Sequence, residues 1–130
     1  MNAIGGYFDL ELDKQNKYHT DAICLNTGRN ALEYFLVVRE YKKIYLPYYT
    51  CDVLWEPIKK LNLLYEFYSI DDNFEAIFDF SRIKVNECFL YTNYFGIKDN
   101  FILQLKTKCA NLIIDNAQAF YANPLINVDT

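Results

Sequence analysis

Short apolar runs alternate with longer stretches of helical period along this chain. Ala22–Leu25, Ile44–Leu46, Leu63–Ile70, Cys88–Tyr91 and Leu112–Ile114 are compact apolar runs, the pattern of short strands buried on both faces. Arg29 to about Tyr41 carries Ala31, Leu32, Phe35, Leu36 and Val38 on one stripe of helical spacing. Asn26 or Thr27 supplies its N-cap. Asp52 to Lys60 reads as a second helix, with an acid near its start and Lys59–Lys60 near its end, as the helix dipole favours. Pro57 should shorten or kink it. Phe101 to Lys108 reads as a third helix. Asp71–Asp72–Asn73 marks a turn. Ile4–Leu12 is expected as an edge strand or extended arm, and Lys14–Thr20 as a loop. Phe74–Asn86 fits no single period, and after Ile114 the chain is irregular to Thr130.

Strands alternating with helices imply an α/β fold, a mainly parallel sheet with helices on both faces. In such sheets ligands bind beyond the carboxyl ends of the strands. The polar residues found there are Thr27–Gly28–Arg29–Asn30, Tyr48–Tyr49–Thr50, Thr92–Asn93 and Asp115–Asn116–Ala117–Gln118. These clusters are expected to converge on one edge of the sheet.

Composition adds constraints. The 130 residues suit one domain, and 52% hydrophobic content argues against disorder. Twelve Tyr among 18% aromatics predict a core with polar edges, because a buried Tyr hydroxyl needs an acceptor. A net charge of −4, with Lys42–Lys43 and Lys59–Lys60 as isolated pairs, argues against nucleic acid as a partner. No apolar run is long enough for a bilayer, and Met1–Leu12 lacks the regions of a secretory signal. The expectation is a cytoplasmic protein with no membrane partner. Cys24, Cys51, Cys88 and Cys109 form no C-x-x-C pair, and His19 is the only His. That argues against a metal site and for reduced thiols, each read as a small buried hydrophobe.

Two constellations carry candidate chemistry. Thr27–Gly28–Arg29–Asn30–Ala31–Leu32 sits between a strand and a helix, where Gly28 permits close approach and the free N–H groups of the helix start suit a phosphate. A capped helix without a ligand reads equally from these residues. Asp115 follows Leu112–Ile113–Ile114, with Gln118 three residues later. A carboxylate there can pair with a cationic ligand group, or can form an Asx turn.

The order of T-G-R-N-A-L, P-Y-Y-T, Y-S-I-D, Y-F-G-I and I-I-D-N-A-Q-A resembles the DegT/DnrJ/EryC1/StrS family from about Asp21 to Thr130. These are pyridoxal 5′-phosphate (PLP) enzymes of aspartate-aminotransferase-like fold, mostly sugar-nucleotide aminotransferases of cell-surface polysaccharide biosynthesis, usually homodimers. The resemblance places Asp115 at the pyridine nitrogen and Gln118 at the 3-oxygen. It places Thr27, Gly28 and Arg29 at the phosphate, and Asn93 where the family often has His. An aromatic residue usually stacks on the ring just after the Thr of P-x-x-T. That position is Cys51 here, which leaves Tyr48 or Tyr49 for the ring contact. Arg29 replaces a small hydroxyl residue.

In the family the Schiff-base Lys follows the D-A-A-Q segment, and this sequence reaches Thr130 before such a stretch. Residues 1–130 are thus expected to be the N-terminal part of a PLP-binding large domain, with residues 1–20 an arm or edge. The catalytic-Lys segment and the small C-terminal domain are absent, and the chain alone should be inactive. A sheet cut partway exposes an edge and should self-associate. The other reading is a non-catalytic remnant domain that binds a phosphate ligand or a partner subunit.

Overall fold

Thr27 starts the first element described. Its backbone is extended (φ −148°, ψ 155°), and its hydroxyl accepts a hydrogen bond from the Asn30 N–H at 3.2 Å. This N-cap launches helix α1 (Gly28–Val38). The computed structural model describes residues 19–20 and 22–122. The arm or edge strand expected over 4–12, and most of the loop expected over 14–20, lie outside the described residues.

After α1 come β1 (Lys43–Pro47), a 3-10 turn over Asp52–Leu54, and α2 (Trp55–Lys60). Pro57 sits in the first turns of α2, where its missing N–H costs least. Then follow β2 (Leu64–Ile70), the two-residue β3 (Ala76–Ile77), β4 (Glu87–Thr92), α3 (Asp99–Lys108) and β5 (Leu112–Asp115). The sheet order is β3-β2-β1-β4-β5. β1, β2, β4 and β5 run parallel, and β3 pairs antiparallel with β2. The fold is α/β with a mainly parallel sheet, as the alternating pattern predicts.

Strand alternation builds two cores. Ile44, Leu46, Cys88, Leu90 and Ile113 face Leu32 and Leu36 of α1 and Ile58 of α2. Tyr45, Tyr68, Phe89, Tyr91, Leu112 and Ile114 face Phe101, Ile102 and Leu105 of α3. Helices therefore cover both faces. The tyrosine content is answered on the α3 face. Tyr45 donates to Glu87 Oε2 (2.8 Å), Tyr68 to the Leu90 carbonyl (2.8 Å), Tyr91 to the Phe74 carbonyl (2.7 Å) and Tyr94 to the Tyr49 carbonyl (2.8 Å). Every one of these rings is buried, and every one finds an acceptor.

Three expectations need correction. Ala22–Leu25 is no strand: no neighbouring strand offers it a ladder, and Ile23 is 66% exposed. Helix α1 stops at Val38, because Glu40 enters the left-handed region (φ 55°) and turns Tyr41 back onto Phe35. Cys88 and Cys109 are buried, but Cys24 and Cys51 are exposed, since both lie in connections rather than in strands. Among the described residues no helix is long and apolar enough to cross a membrane.

Candidate functional site

The chain leaves β1 toward β2 on one side of the sheet, and β4 with β5 lies on the other. This reversal opens a crevice between the carboxyl ends of β1 and β4, the usual ligand position in such sheets. The loops that follow β1, β4 and β5 meet at this edge. Tyr49 after β1 stacks on Tyr94 after β4, with ring centroids 5.7 Å apart and planes at 18°. The Asn93 N–H donates to the Asp115 carbonyl at 3.0 Å, and the Asn93 amide donates to Asn116 Oδ1 at 3.1 Å. Gly96 is left-handed (φ 74°), and an added Cβ there would lie 3.4 Å from Ala119 Cβ. A small residue with a positive φ lets these two loops touch.

Asp115 ends β5, half-buried and paired in register with Thr92 of β4. Leu90 and Ile113 point to the α1 face, so by alternation Thr92 and Asp115 do too. Asp115 Oδ1 accepts from the Ala117 N–H at 2.9 Å, an Asx turn. Its Oδ2 makes no hydrogen bond among the described residues. Gln118 is exposed, with its amide likewise open.

Arg29 pairs with Glu56 and Glu33 with Lys60, so α1 runs parallel to α2, which starts from the carboxyl end of β1; the start of α1 therefore lies at that end of the sheet. Thr27 uses its hydroxyl to cap Asn30, and Ala31 N–H bonds to the Thr27 carbonyl at 3.0 Å. The Gly28 and Arg29 N–H groups have no acceptor in the helix. A Cβ at Gly28 would meet nothing within 4 Å. The Arg29 side chain pairs with Glu56 of α2. Arg29 and Glu56 line a shallow, open hollow of about 370 Å³ together with Asp52, Val53, Trp55 and Lys59. Asp115 and Gln118 are not among the residues that line it.

The other expected residues have varied surroundings. Asn93 is fully buried, and its amide also reaches Asp99 Oδ1 (3.3 Å) while its Oδ1 accepts from the Lys98 N–H (3.3 Å). It locks the loop and presents nothing to a ligand. The Cys51 thiol lies 3.8 Å from Asp52 Oδ1, on the surface. Tyr49 keeps an exposed ring beside Tyr94, and Tyr48 an exposed ring stacked on Phe67.

Tyr94 is the residue that sequence reasoning passed over. It is buried, and burial raises its hydroxyl to about pKa 12, with the Tyr49 and Asp115 charges acting in the same direction. It ties the β1 loop to the β4 loop beside Asp115. Its only sequence signal is a Tyr directly after the polar pair that ends a strand.

No family model matches this sequence, and no curated protein does. Among solved structures the chain is similar to a protein described as a "putative aminotransferase" from Burkholderia pseudomallei. The two share 14% identity and a TM-score of 0.53, over 67% of this chain and 29% of that one. The likeness is one of fold, and the chain spans under a third of that protein's length.

Proposed function

We propose that this chain carries the cofactor-facing part of the large domain of a PLP-dependent aminotransferase, of the DegT/DnrJ/EryC1/StrS kind, acting on a keto-sugar nucleotide. The observation that supports it is that Asp115 ends β5 and α1 starts at Gly28, both at the carboxyl end of a β2-β1-β4-β5 parallel sheet.

The residues present suit such a cofactor. An unbonded carboxylate oxygen of Asp115 meets the need of a pyridinium nitrogen. The uncapped N–H groups of Gly28 and Arg29, with space where a Cβ would stand, meet the need of a phosphate. PLP, when bound, withdraws electrons from the carbon that carries the migrating amino group. Asp115 would keep the proton on the ring nitrogen. Gln118 would donate its amide to the 3-oxygen. Thr27 can still donate its hydroxyl proton to the phosphate while accepting from Asn30. Tyr49 offers the exposed ring that Cys51 does not. Asn93 acts at one remove, by holding the β4 and β5 loops together.

A second reading, a non-catalytic domain that binds a phosphate ligand, is favoured by the lysines. Lys98 is the lysine at the carboxyl edge among the described residues, and its Nζ pairs with Glu75 at 2.8 Å on the α3 side. It is therefore no substitute for a Schiff-base Lys facing Asp115. Titration with PLP and pyridoxamine phosphate separates the readings. Saturable binding that Asp115→Asn abolishes supports the cofactor site. Binding that survives Asp115→Asn and is competed by inorganic phosphate selects the second reading. No binding at all sinks both. Turnover by the 130-residue chain with PLP and an amino donor would show that the lysine assignment is wrong.

A further inference from the structure

Among the described residues one buried side-chain polar atom has no hydrogen-bond partner, Oγ1 of Thr92. Thr92 ends β4 and is 4% exposed. Its hydroxyl lies near that of Tyr94 and favours the ionised form there, but the two fall short of hydrogen-bond geometry. The Tyr94 proton goes instead to the Tyr49 carbonyl at 2.8 Å. Val has the shape of Thr and would fill the same space without a stranded hydroxyl. An unspent donor in this position points to a bond made in another state of the chain.

The carboxylate beside it has capacity to spare. Asp115 is the register partner of Thr92 across β4 and β5, and both side chains lie on the α1 face. Adjacent strands run about 4.8 Å apart, so a turn about χ1 brings the hydroxyl to the carboxylate without backbone movement. A carboxylate offers about four lone-pair sites. Asp115 uses one, on Oδ1, for the Ala117 N–H at 2.9 Å. The sheet order adds a direction. The crevice opens between β1 and β4, and Asp115 stands on β5, beyond β4. To meet a cation in that crevice its carboxylate must lean across β4, and Thr92 is the residue it crosses.

We infer that Thr92 is a positioning residue for Asp115. When Asp115 pairs with the cationic nitrogen of a ligand, the Thr92 hydroxyl donates to the leaning carboxylate and holds it ionised and in place. The inference rests on the cofactor reading above, and it adds a residue that lies outside both T-G-R-N-A-L and I-I-D-N-A-Q-A. The bond is absent from the free chain, so the hydroxyl contributes to binding and not to folding.

The test uses the full chain and pyridoxamine 5′-phosphate, which needs no Schiff-base Lys. Thr92→Val should keep or raise the urea midpoint of the free chain, because the hydroxyl it removes bonds to nothing there. The same variant should weaken pyridoxamine phosphate binding about tenfold, the scale of one hydrogen bond to a charged group. Thr92→Ser keeps the hydroxyl and should return the affinity to within about threefold. Inorganic phosphate should compete with equal affinity in the parent and Thr92→Val chains, because Thr92 acts at the Asp115 end of the site. A lower midpoint, or a failure to fold, in Thr92→Val would show a bond already made in the free chain and overturn the inference. So would an unchanged pyridoxamine phosphate affinity, a Thr92→Ser chain that binds no better than Thr92→Val, or an equal loss of phosphate affinity. Asp115→Asn separates this inference from the cofactor reading. Binding that Asp115→Asn abolishes and Thr92→Val leaves intact sinks the inference alone. Binding that Asp115→Asn leaves intact, or no saturable binding, sinks both.

Discussion

Tyr68→Phe tests whether the polar edges of the aromatic core stabilise the fold. Tyr68 is 3% exposed on β2, and its hydroxyl donates to the Leu90 carbonyl of β4 at 2.8 Å. β1 lies between those strands, so this bond crosses the central strand and pins the sheet where its order reverses. The ring itself stacks on Phe89, with centroids 4.4 Å apart and planes at 18°. Phe keeps that ring and removes only the hydroxyl. A buried hydrogen bond contributes about 1 kcal/mol net, and an acceptor stranded away from water costs about 1–3 kcal/mol. The ladder position that would serve the Leu90 carbonyl is Pro47, which has no N–H, so no strand bond replaces the lost hydroxyl and the stranding cost applies. We expect a loss of about 1.5 kcal/mol, or roughly 5 °C in Tm for a chain of this size. Urea denaturation followed by far-UV circular dichroism measures it, with an unchanged m value. Tyr65→Phe, on a half-exposed ring, is the control and should shift stability by less than about 0.5 kcal/mol. Equal midpoints for Tyr68→Phe and the control would mean that the hydroxyl is hydrated rather than bonded, and the reasoning about the core would be wrong.

The glycines and the buried tyrosines give three further tests. Gly96→Ala should cost about 1–2 kcal/mol in the same assay, because φ is 74° and Ala119 Cβ is 3.4 Å away. Gly28→Ala should leave stability within about 0.5 kcal/mol, since nothing lies within 4 Å, yet weaken PLP binding; a large stability loss with unchanged affinity would contradict the phosphate role. Burial raises the pKa of Tyr68, Tyr91 and Tyr94 in the folded chain. The unfolded chain therefore releases these protons first, near pH 10, so the stability they confer is complete below that pH and is lost as pH rises through the folded values. Urea midpoints flat from pH 9 to 11 would refute this.

The fold was largely legible because its strands are buried on both sides. Ile44–Leu46, Cys88–Tyr91 and Leu112–Ile114 are apolar at every position, and only a covered parallel sheet accommodates that. Ala22–Leu25 has the same texture and is no strand. Texture reports a capacity for burial, whereas a strand also needs a neighbour, which is a long-range fact. The stretch from Phe74 to Asn86 was opaque for a related reason. Its β3 is two residues long, and Phe74 is left-handed at φ 61°, a conformation that sequence rules reserve for Gly or Asn.

The site was legible by type and not by contact. Asp115 sits at the strand end where a ligand-facing carboxylate belongs, and Thr27 caps its helix, because both positions follow from local geometry. Arg29 did not keep a free guanidinium, since Glu56, 27 residues on, takes it. Asn93 lost its amide to Asn116 and Asp99. A short polar side chain at the end of a buried strand has few ways to satisfy its groups without water, and neighbouring loops supply them first. The residues left for a ligand at this edge are those whose atoms the fold does not use: one oxygen of Asp115, the Gln118 amide and the N–H groups of Gly28 and Arg29. This is why the motif residues divide into those that face a ligand and those, like Asn93, that position them.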